Sequence, residues 1–236
     1  MNTSRGIAII VGVLFIIATV TAIMSGVFLG SMLDTPDYFN NLPANGDQVI
    51  TAMLFEIICA ISVIGIAVVI YPVLKAHIEG LALGYVGIRM VEAIMLILGS
   101  LSLLSLLTLS QDYGAGVLEA NNYQPFGALL LALRDWTHVL GTFLFLGLGG
   151  LPLYYILYRS KLVPPWLSGW GLIGATLILV GGVLGLFGLS PTSSTSTYIA
   201  LPIGLQEMVF AVWLIVKGFN PSAIASPSPM AAPSVY

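Results

Sequence analysis

The sequence predicts an all-α membrane protein, a polytopic bundle of about six transmembrane helices with both termini in the cytoplasm. Of its 236 residues, 58% are hydrophobic and only 7% are charged, and the mean hydropathy is +1.03. Soluble domains carry about 25% charged residues, so this composition is typical of a chain whose solvent is lipid. The lengths of the apolar stretches and the placement of the basic residues complete the prediction.

Spanning a bilayer takes about 20 apolar residues in a helix. Six stretches reach this length, at about residues 7–30, 49–74, 82–109, 126–158, 166–189 and 198–217. Because backbone groups in lipid must form hydrogen bonds within the protein, each stretch is predicted to be helical. Barrel strands would be about 10 residues long and alternate in polarity, whereas runs such as 94–98 are apolar throughout. The pattern excludes a barrel.

The loops predict the orientation. Five of the seven basic residues flank helix ends on one side of the six-helix arrangement, namely Arg5, Lys75, Arg159, Lys161 and Lys217. The opposite loops contain only acidic charges, which are Asp34, Asp37, Asp47, Asp112 and Glu119. Since loops rich in lysine and arginine remain in the cytoplasm, both termini are predicted to be cytoplasmic.

Residues 1–219 form one predicted transmembrane domain. Residues 220–236 are mostly proline, serine and alanine without charge, which indicates a disordered cytoplasmic tail. Gly26 and Gly30, and likewise Gly181 and Gly185, have the GxxxG spacing that lets helix backbones approach closely. We interpret both pairs as packing within the molecule.

Seven ionisable residues interrupt the apolar stretches: Glu56, Arg89, Glu92, Arg134, Asp135, His138 and Glu207. A charge at the bilayer centre costs about 2.5–3.5 kcal/mol even on the most lenient scale, so each one requires an explanation. Glu207 lies near the middle of a segment with no spare length. These residues are candidates for one inward-facing polar cluster that binds a substrate or an ion.

Spacing predicts which of these side chains meet. Arg89 and Glu92 are three residues apart, so they share a helix face and can pair. Arg134, Asp135 and His138 lie within about one turn and are predicted to share a face of the fourth helix.

The charges of these residues do not balance. Four carboxylates accompany two arginines, which leaves two excess negative charges when His138 is neutral. Protonation or a bound cation relieves such an excess in a low-dielectric site. A static network of ion pairs that locks the helices together would leave the same pattern in the sequence.

The sequence leaves three functions open. The first is a small transporter or proton-coupled binding protein that uses Glu92 and Glu207 as titratable groups. The second is an integral-membrane enzyme acting on a lipid or quinone, with a metal or cofactor held by Asp135 and His138. The third is an accessory or structural membrane subunit.

Motifs give the enzyme little support. The sequence contains no HExxH, GxSxG, Walker loop or dinucleotide fingerprint in a suitable context, and the single Cys59 excludes a CxxC pair or a cysteine zinc site. We therefore expect no metal and no cofactor, and we favour a non-catalytic role over the enzyme. Without a basic run, nucleic acid is not an expected partner. The expected partners are the lipid bilayer and a small molecule or ion, and the oligomeric state is left open.

Three stretches carry a family resemblance: GYVGIRMVEAIMLILG, YRSKLVPPWLSGWGLIGA and ALPIGLQEMVFAVWLIVKGF. Through them the chain resembles the bacterial family called domain of unknown function 4386. The most characteristic positions are Arg89, Glu92, Pro165, Trp166, Leu167, Glu207 and residues 213–219. The resemblance implies a multi-pass bacterial membrane protein, and it implies no biochemical role. We expect the protein to lie in the inner (plasma) membrane.

Overall fold

The structure, a computed structural model, describes residues 3–35, 38–115, 120–190 and 193–225. Within these ranges the regular elements are all helical, which confirms the predicted all-α class. The α-helices are α1 (Thr3–Leu29), α2 (Tyr38–Ala44), α3 (Gly46–Gly114), α4 (Ala120–His138), α5 (Leu146–Ser160), α6 (Pro165–Leu186), α7 (Ser194–Val216) and α8 (Pro221–Ala225). A 3-10 helix (Met32–Asp34) follows α1, and a π-helical segment (Val139–Phe145) joins α4 to α5.

Five helical runs in the described ranges are long and apolar enough to cross a membrane. They are α1, α3, the continuous run Tyr123–Ser160, α6 and α7. The run Tyr123–Ser160 corresponds to the fourth predicted helix. Its irregular part is the π-helical segment Val139–Phe145. Segments of π-helix are rare and occur frequently at functional sites.

Helix α3 is a hairpin of two arms. Its backbone leaves helical geometry at Ile78, where φ is −143° and ψ is 88°. The Ser100 hydroxyl donates a hydrogen bond of 2.7 Å to the Glu56 carboxylate, whereas 44 residues of straight helix would separate the two by about 66 Å. The N-terminal arm (46–77) and the C-terminal arm (79–114) therefore lie side by side. The sequence predicted two helices here with a longer loop between them.

Six helical rods pack in antiparallel order, namely α1, the two arms of α3, the run Tyr123–Ser160, α6 and α7. Along α1 and the N-terminal arm, Ser25 bonds Glu56 while Leu14 approaches Gly65, so the residue numbers run in opposite directions. The same reversal occurs at each following pair of rods in the chain. The Phe15 and Phe210 rings, 5.4 Å apart, bring α1 against α7. The six rods thus form a closed bundle.

Glycines set several of these close contacts. Gly181 and Gly185 are buried, and a Cβ at these positions would meet Ile199 and Val139 respectively, which confirms their predicted internal packing. The prediction was wrong for Gly26, which is exposed with open space at its Cβ position. Gly30 instead has φ of +52° and donates its N–H to the Gly26 carbonyl, so this pair ends α1.

The chain is ordered beyond the predicted end of the membrane domain. Residues 221–225 form α8, whose Ile224 packs against the hydrophobic core. The predicted disordered tail therefore contains a short helix, and its residues 226–236 lie outside the described ranges.

Candidate functional site

The structure divides the seven predicted site residues into two groups and two exposed side chains. Glu56 pairs with Arg134, and Arg89 pairs with Glu92 near Glu207. Arg134 also bonds the carbonyl of Gly99, which is seven residues, or about 10 Å of helix, beyond Glu92. The single cluster expected from the sequence is corrected to two groups at different levels of the bundle.

The Glu56–Arg134 pair has bidentate geometry. Arg134 Nη2 donates to Glu56 Oε1 at 2.5 Å and Nη1 donates to Oε2 at 3.3 Å. Nη1 also donates to the Gly99 carbonyl at 3.2 Å. Both side chains are 14% exposed. Two parallel hydrogen bonds of this kind fix orientation as well as charge.

Two serines complete this arrangement. Ser25 of α1 and Ser100 of the C-terminal arm donate to the two Glu56 oxygens at 3.0 and 2.7 Å. The Glu56 carboxylate thus accepts four hydrogen bonds from three other rods, and its charge is balanced by Arg134. We interpret this group as a structural clamp. Sequence reasoning missed both serines, because a serine in an apolar helix most simply bonds its own backbone.

A small recess opens beside the clamp. It measures about 20 Å³ and is lined by Glu56, Arg134 and His138 together with Thr137 and apolar residues of the C-terminal arm. This is about the space that one water molecule needs. The His138 side chain is otherwise exposed, and its Nδ1 lies 3.4 Å from the Thr142 hydroxyl.

Asp135 is also exposed. Arg134 and His138 line one recess beside Glu56, as their predicted shared face requires, whereas Asp135 does not line it. Across the described residues, no three His, Cys, Asp or Glu side chains come close enough to hold a metal ion together. In the described part of the chain, no further His, Cys, Asp or Glu side chain lies where it could complete a metal site with Asp135 and His138.

The second group surrounds Arg89, which bonds Glu92 at 2.9 Å. This pairing confirms the prediction from the three-residue spacing. The two side chains are only 4% and 5% exposed, and the Arg89 stem packs closely against Gly149 of α5. Since both partners lie on one arm of α3, their ion pair joins no two helices.

Four further side chains belong to this Arg89 group, which comprises Tyr85, Arg89, Glu92, Tyr154, Gln206 and Glu207. Glu207 of α7 is close enough to interact electrostatically with Arg89, Glu92 and both tyrosines. Three rods thus contribute: the C-terminal arm of α3, α5 and α7. Sequence reasoning missed Tyr85, Tyr154 and Gln206, although Tyr85 lies four residues before Arg89 and Gln206 lies next to Glu207 in the chain.

Several buried polar atoms of the Arg89 group have hydrogen-bonding capacity that the described residues do not use. They are Tyr85 Oη, Arg89 Nε, Tyr154 Oη and Gln206 Oε1. Gln206 Nε2 does donate to the Leu167 carbonyl at 3.1 Å, and the Tyr154 hydroxyl approaches the Gln206 amide without forming a well-aligned hydrogen bond. Native proteins satisfy about 90% or more of such buried groups. A water molecule or another small molecule beside these four atoms would satisfy them.

The charge of the Arg89 group is unbalanced. Two carboxylates, Glu92 and Glu207, face one guanidinium, so the group carries one excess negative charge when both acids are ionised. Glu207 accepts no hydrogen bond from the described residues, whereas Glu92 is held by Arg89. The excess charge therefore belongs to Glu207.

Comparison with known families agrees with the resemblance that the sequence carries. A family described as a domain of unknown function (DUF4386) matches residues 10–218. The chain belongs to this family. Both polar groups of this DUF4386 protein lie inside the matched residues, and the family description assigns no activity to them. No curated protein and no solved structure matches the chain.

Proposed function

We propose that this DUF4386 protein crosses the bacterial inner membrane six times and that its Arg89 group binds and releases a proton. In this proposal the proton is coupled to the binding or transport of a small molecule or ion. The observation that carries it is that two carboxylates, the buried Glu92 and the half-buried Glu207, lie near the single guanidinium of Arg89. The protein would then be a small transporter or proton-coupled binding protein.

Helix lengths support six crossings. The two arms of α3 contain 32 and 36 residues, and each exceeds the 20 or so needed to span a bilayer. Because the arms are antiparallel, α3 supplies two crossings, and the other four runs supply one each.

Contacts at one end of the bundle support the cytoplasmic location of both termini. Arg5 donates to the carbonyls of Leu214 and Ile215, just before Lys217. Asn220 bonds the carbonyl of Lys161. The antiparallel register of α1 and the N-terminal arm brings Arg5 level with Lys75. Basic residues thus gather at one end, as the positive-inside rule requires.

The acidic residues Asp47 and Asp112 begin and end the α3 hairpin at the opposite end. Asp37 and Glu119, predicted for the same side, lie outside the described residues.

Cysteine labelling tests this topology. In a Cys59→Ser background, we expect Asp112→Cys to react with a membrane-impermeant maleimide in intact cells. Lys75→Cys should react only after the inner membrane is permeabilised. Both positions are exposed on the protein surface, so a difference in labelling would report the side of the membrane and not burial within the protein. Labelling of both in intact cells, or of Lys75→Cys alone, would contradict the proposed orientation.

Charge accounting supports the proton. One proton on Glu207 makes the Arg89 group neutral, whereas its loss leaves a net charge inside the membrane, where isolated charges cost about 2.5–3.5 kcal/mol. Release of the proton is therefore favourable only when a cationic or hydrogen-bonding ligand takes its place. This exchange is the coupling that we propose. Tyr85, Tyr154 and Gln206 supply the unused hydrogen-bonding atoms for that ligand.

The architecture also distinguishes the two groups. A structural role suits the Glu56–Arg134 pair, which links four rods. The same role fits the Arg89 group poorly, because its ion pair lies within one arm and its second carboxylate has no hydrogen bond from the described residues.

Infrared titration tests the proton-binding role directly. In an acid-to-alkaline series on the purified protein, we expect one protonated-carboxyl band to disappear in the wild type and to be missing in Glu207→Gln. Glu79→Gln, which alters an exposed carboxylate near the α3 turn, should retain that band. Proteoliposomes containing the wild type should also show solute-dependent proton movement that Glu207→Gln lacks. An unchanged infrared titration in Glu207→Gln would refute the proposal.

A further inference from the structure

A second site lies at the end of the bundle that carries the basic residues. A pocket of about 400 Å³ is formed by residues 161–165, at the turn from α5 into α6, and residues 217–221, at the turn from α7 into α8, with Trp213 beside them. Asn220 joins the two walls, since its backbone N–H donates to the Leu162 carbonyl at 2.8 Å and its side chain donates to the Lys161 carbonyl at 3.3 Å. The pocket is therefore a built feature of two connected turns.

The charge of this pocket is positive. Its lining includes Lys161 and Lys217 and no acidic residue. Both lysines are exposed, and neither forms an ion pair with any described residue. Lys161 has a left-handed backbone with φ of 54°, and Gly218 follows Lys217 with φ of 77°. These two turns hold the lysines on opposite walls of one opening.

The floor of the pocket is apolar. Leu162, Val163 and Phe219 are buried there. The half-buried Trp213 meets the exposed Trp166 edge to face, with ring centroids 6.4 Å apart. Tryptophans at helix ends are typical of the membrane interface, where an apolar ring and a polar edge are both satisfied. The cationic rim and the apolar floor together match a molecule that has an anionic head and a hydrocarbon body.

We propose that this pocket binds the phosphate headgroup of an anionic phospholipid, with Lys161 and Lys217 on the phosphate and the apolar floor against the lipid's glycerol and upper chains. The inference rests on the six-crossing arrangement proposed above, because that arrangement places the ends of α5 and α7 at the membrane surface. A free phosphate ion shares the charge but gains nothing from the buried apolar floor. The lipid is therefore the source to which the geometry points.

Thermal unfolding of the full-length protein in detergent tests this site with short-chain lipids. Dihexanoyl phosphatidylglycerol should raise the midpoint temperature in a saturable way, whereas dihexanoyl phosphatidylcholine and inorganic phosphate should have little effect. The double variant Lys161→Gln with Lys217→Gln should weaken the apparent affinity for phosphatidylglycerol about thirtyfold. This corresponds to about 1 kcal/mol for each lysine near a lipid surface.

Lys75→Gln is the matched control, since it removes an exposed lysine at the same end but outside the pocket. It should leave the affinity for phosphatidylglycerol unchanged. An equal loss in Lys75→Gln would mean general charge attraction, and an equal effect of phosphatidylcholine or of phosphate would remove the anionic lipid as the ligand. Any of these results would overturn the proposal. Since none involves the Arg89 group, failure here leaves the infrared test of Glu207 unaffected.

Discussion

Replacing Arg89 with methionine is expected to lower the free energy of unfolding by about 3–5 kcal/mol, the range found when one partner of a buried ion pair is removed. The guanidinium is the only cation of the Arg89 group, and its side chain is 4% exposed. Without it, the buried Glu92 and the half-buried Glu207 lie close together with no counter-charge. Equilibrium unfolding in mixed micelles measures the change.

Two further variants show whether charge is the cause. Arg159→Met removes an exposed arginine at the end of α5, and such surface changes stay within about 0.5 kcal/mol. Adding Glu92→Leu to Arg89→Met should recover most of the lost stability, because it removes the stranded carboxylate. A loss below about 1 kcal/mol in Arg89→Met, or no recovery in the double variant, would contradict the buried charge balance described here.

Replacing Arg134 with methionine is expected to cost about 2–4 kcal/mol. The change removes two hydrogen bonds to Glu56 and one to the Gly99 carbonyl, and hydrogen bonds to charged groups contribute about 1.5–3 kcal/mol. The cost is smaller than for Arg89 because Glu56 keeps the bonds from Ser25 and Ser100 and because the pair is 14% exposed. The same micelle unfolding experiment measures it.

A double-mutant cycle with Glu56→Gln isolates the pair. Residues in direct contact show coupling energies of about 0.5–3 kcal/mol, and a bidentate pair should lie in the upper half of that range. Coupling near zero would mean that Arg134 acts through the Gly99 carbonyl alone. The double variant should keep the titrating carboxyl assigned to Glu207, since the clamp and the Arg89 group lie at different levels. Loss of that carboxyl signal in the double variant would mean that the clamp and the Arg89 group act as one site.

The predicted and observed sites differ in an instructive way. The Arg89 and Glu92 pair followed from a spacing of three on one helix, and the structure confirms it. The partner of Arg134 could not be predicted from spacing. Spacing favoured Asp135 and His138, whereas in the structure Arg134 pairs with Glu56, 78 residues away in the chain. That choice depends on how α4 is rotated and on its vertical register against α3.

Those two quantities arise from packing between rods. At Gly182, a Cβ would meet the backbone of Leu144, so the presence of glycine there decides how closely α6 approaches the π-helical segment. Contacts of this kind fix rotation and register jointly for all neighbours. A single sequence does not reveal which glycines face a partner, as the exposed Gly26 shows.

The sequence by itself determined the helical class, the apolar runs, the gathering of basic residues between particular runs and the pairing of Arg89 with Glu92. Each of these depends on composition or on spacing along one helix, which lipid and helix geometry constrain locally. The tertiary structure alone decided that Glu56 is clamped from three other rods and that Glu207 joins Arg89 with two tyrosines and Gln206. It also formed the lysine pocket from two distant turns. These features bring together residues far apart in the chain, and only the antiparallel packing of the whole bundle fixes their positions.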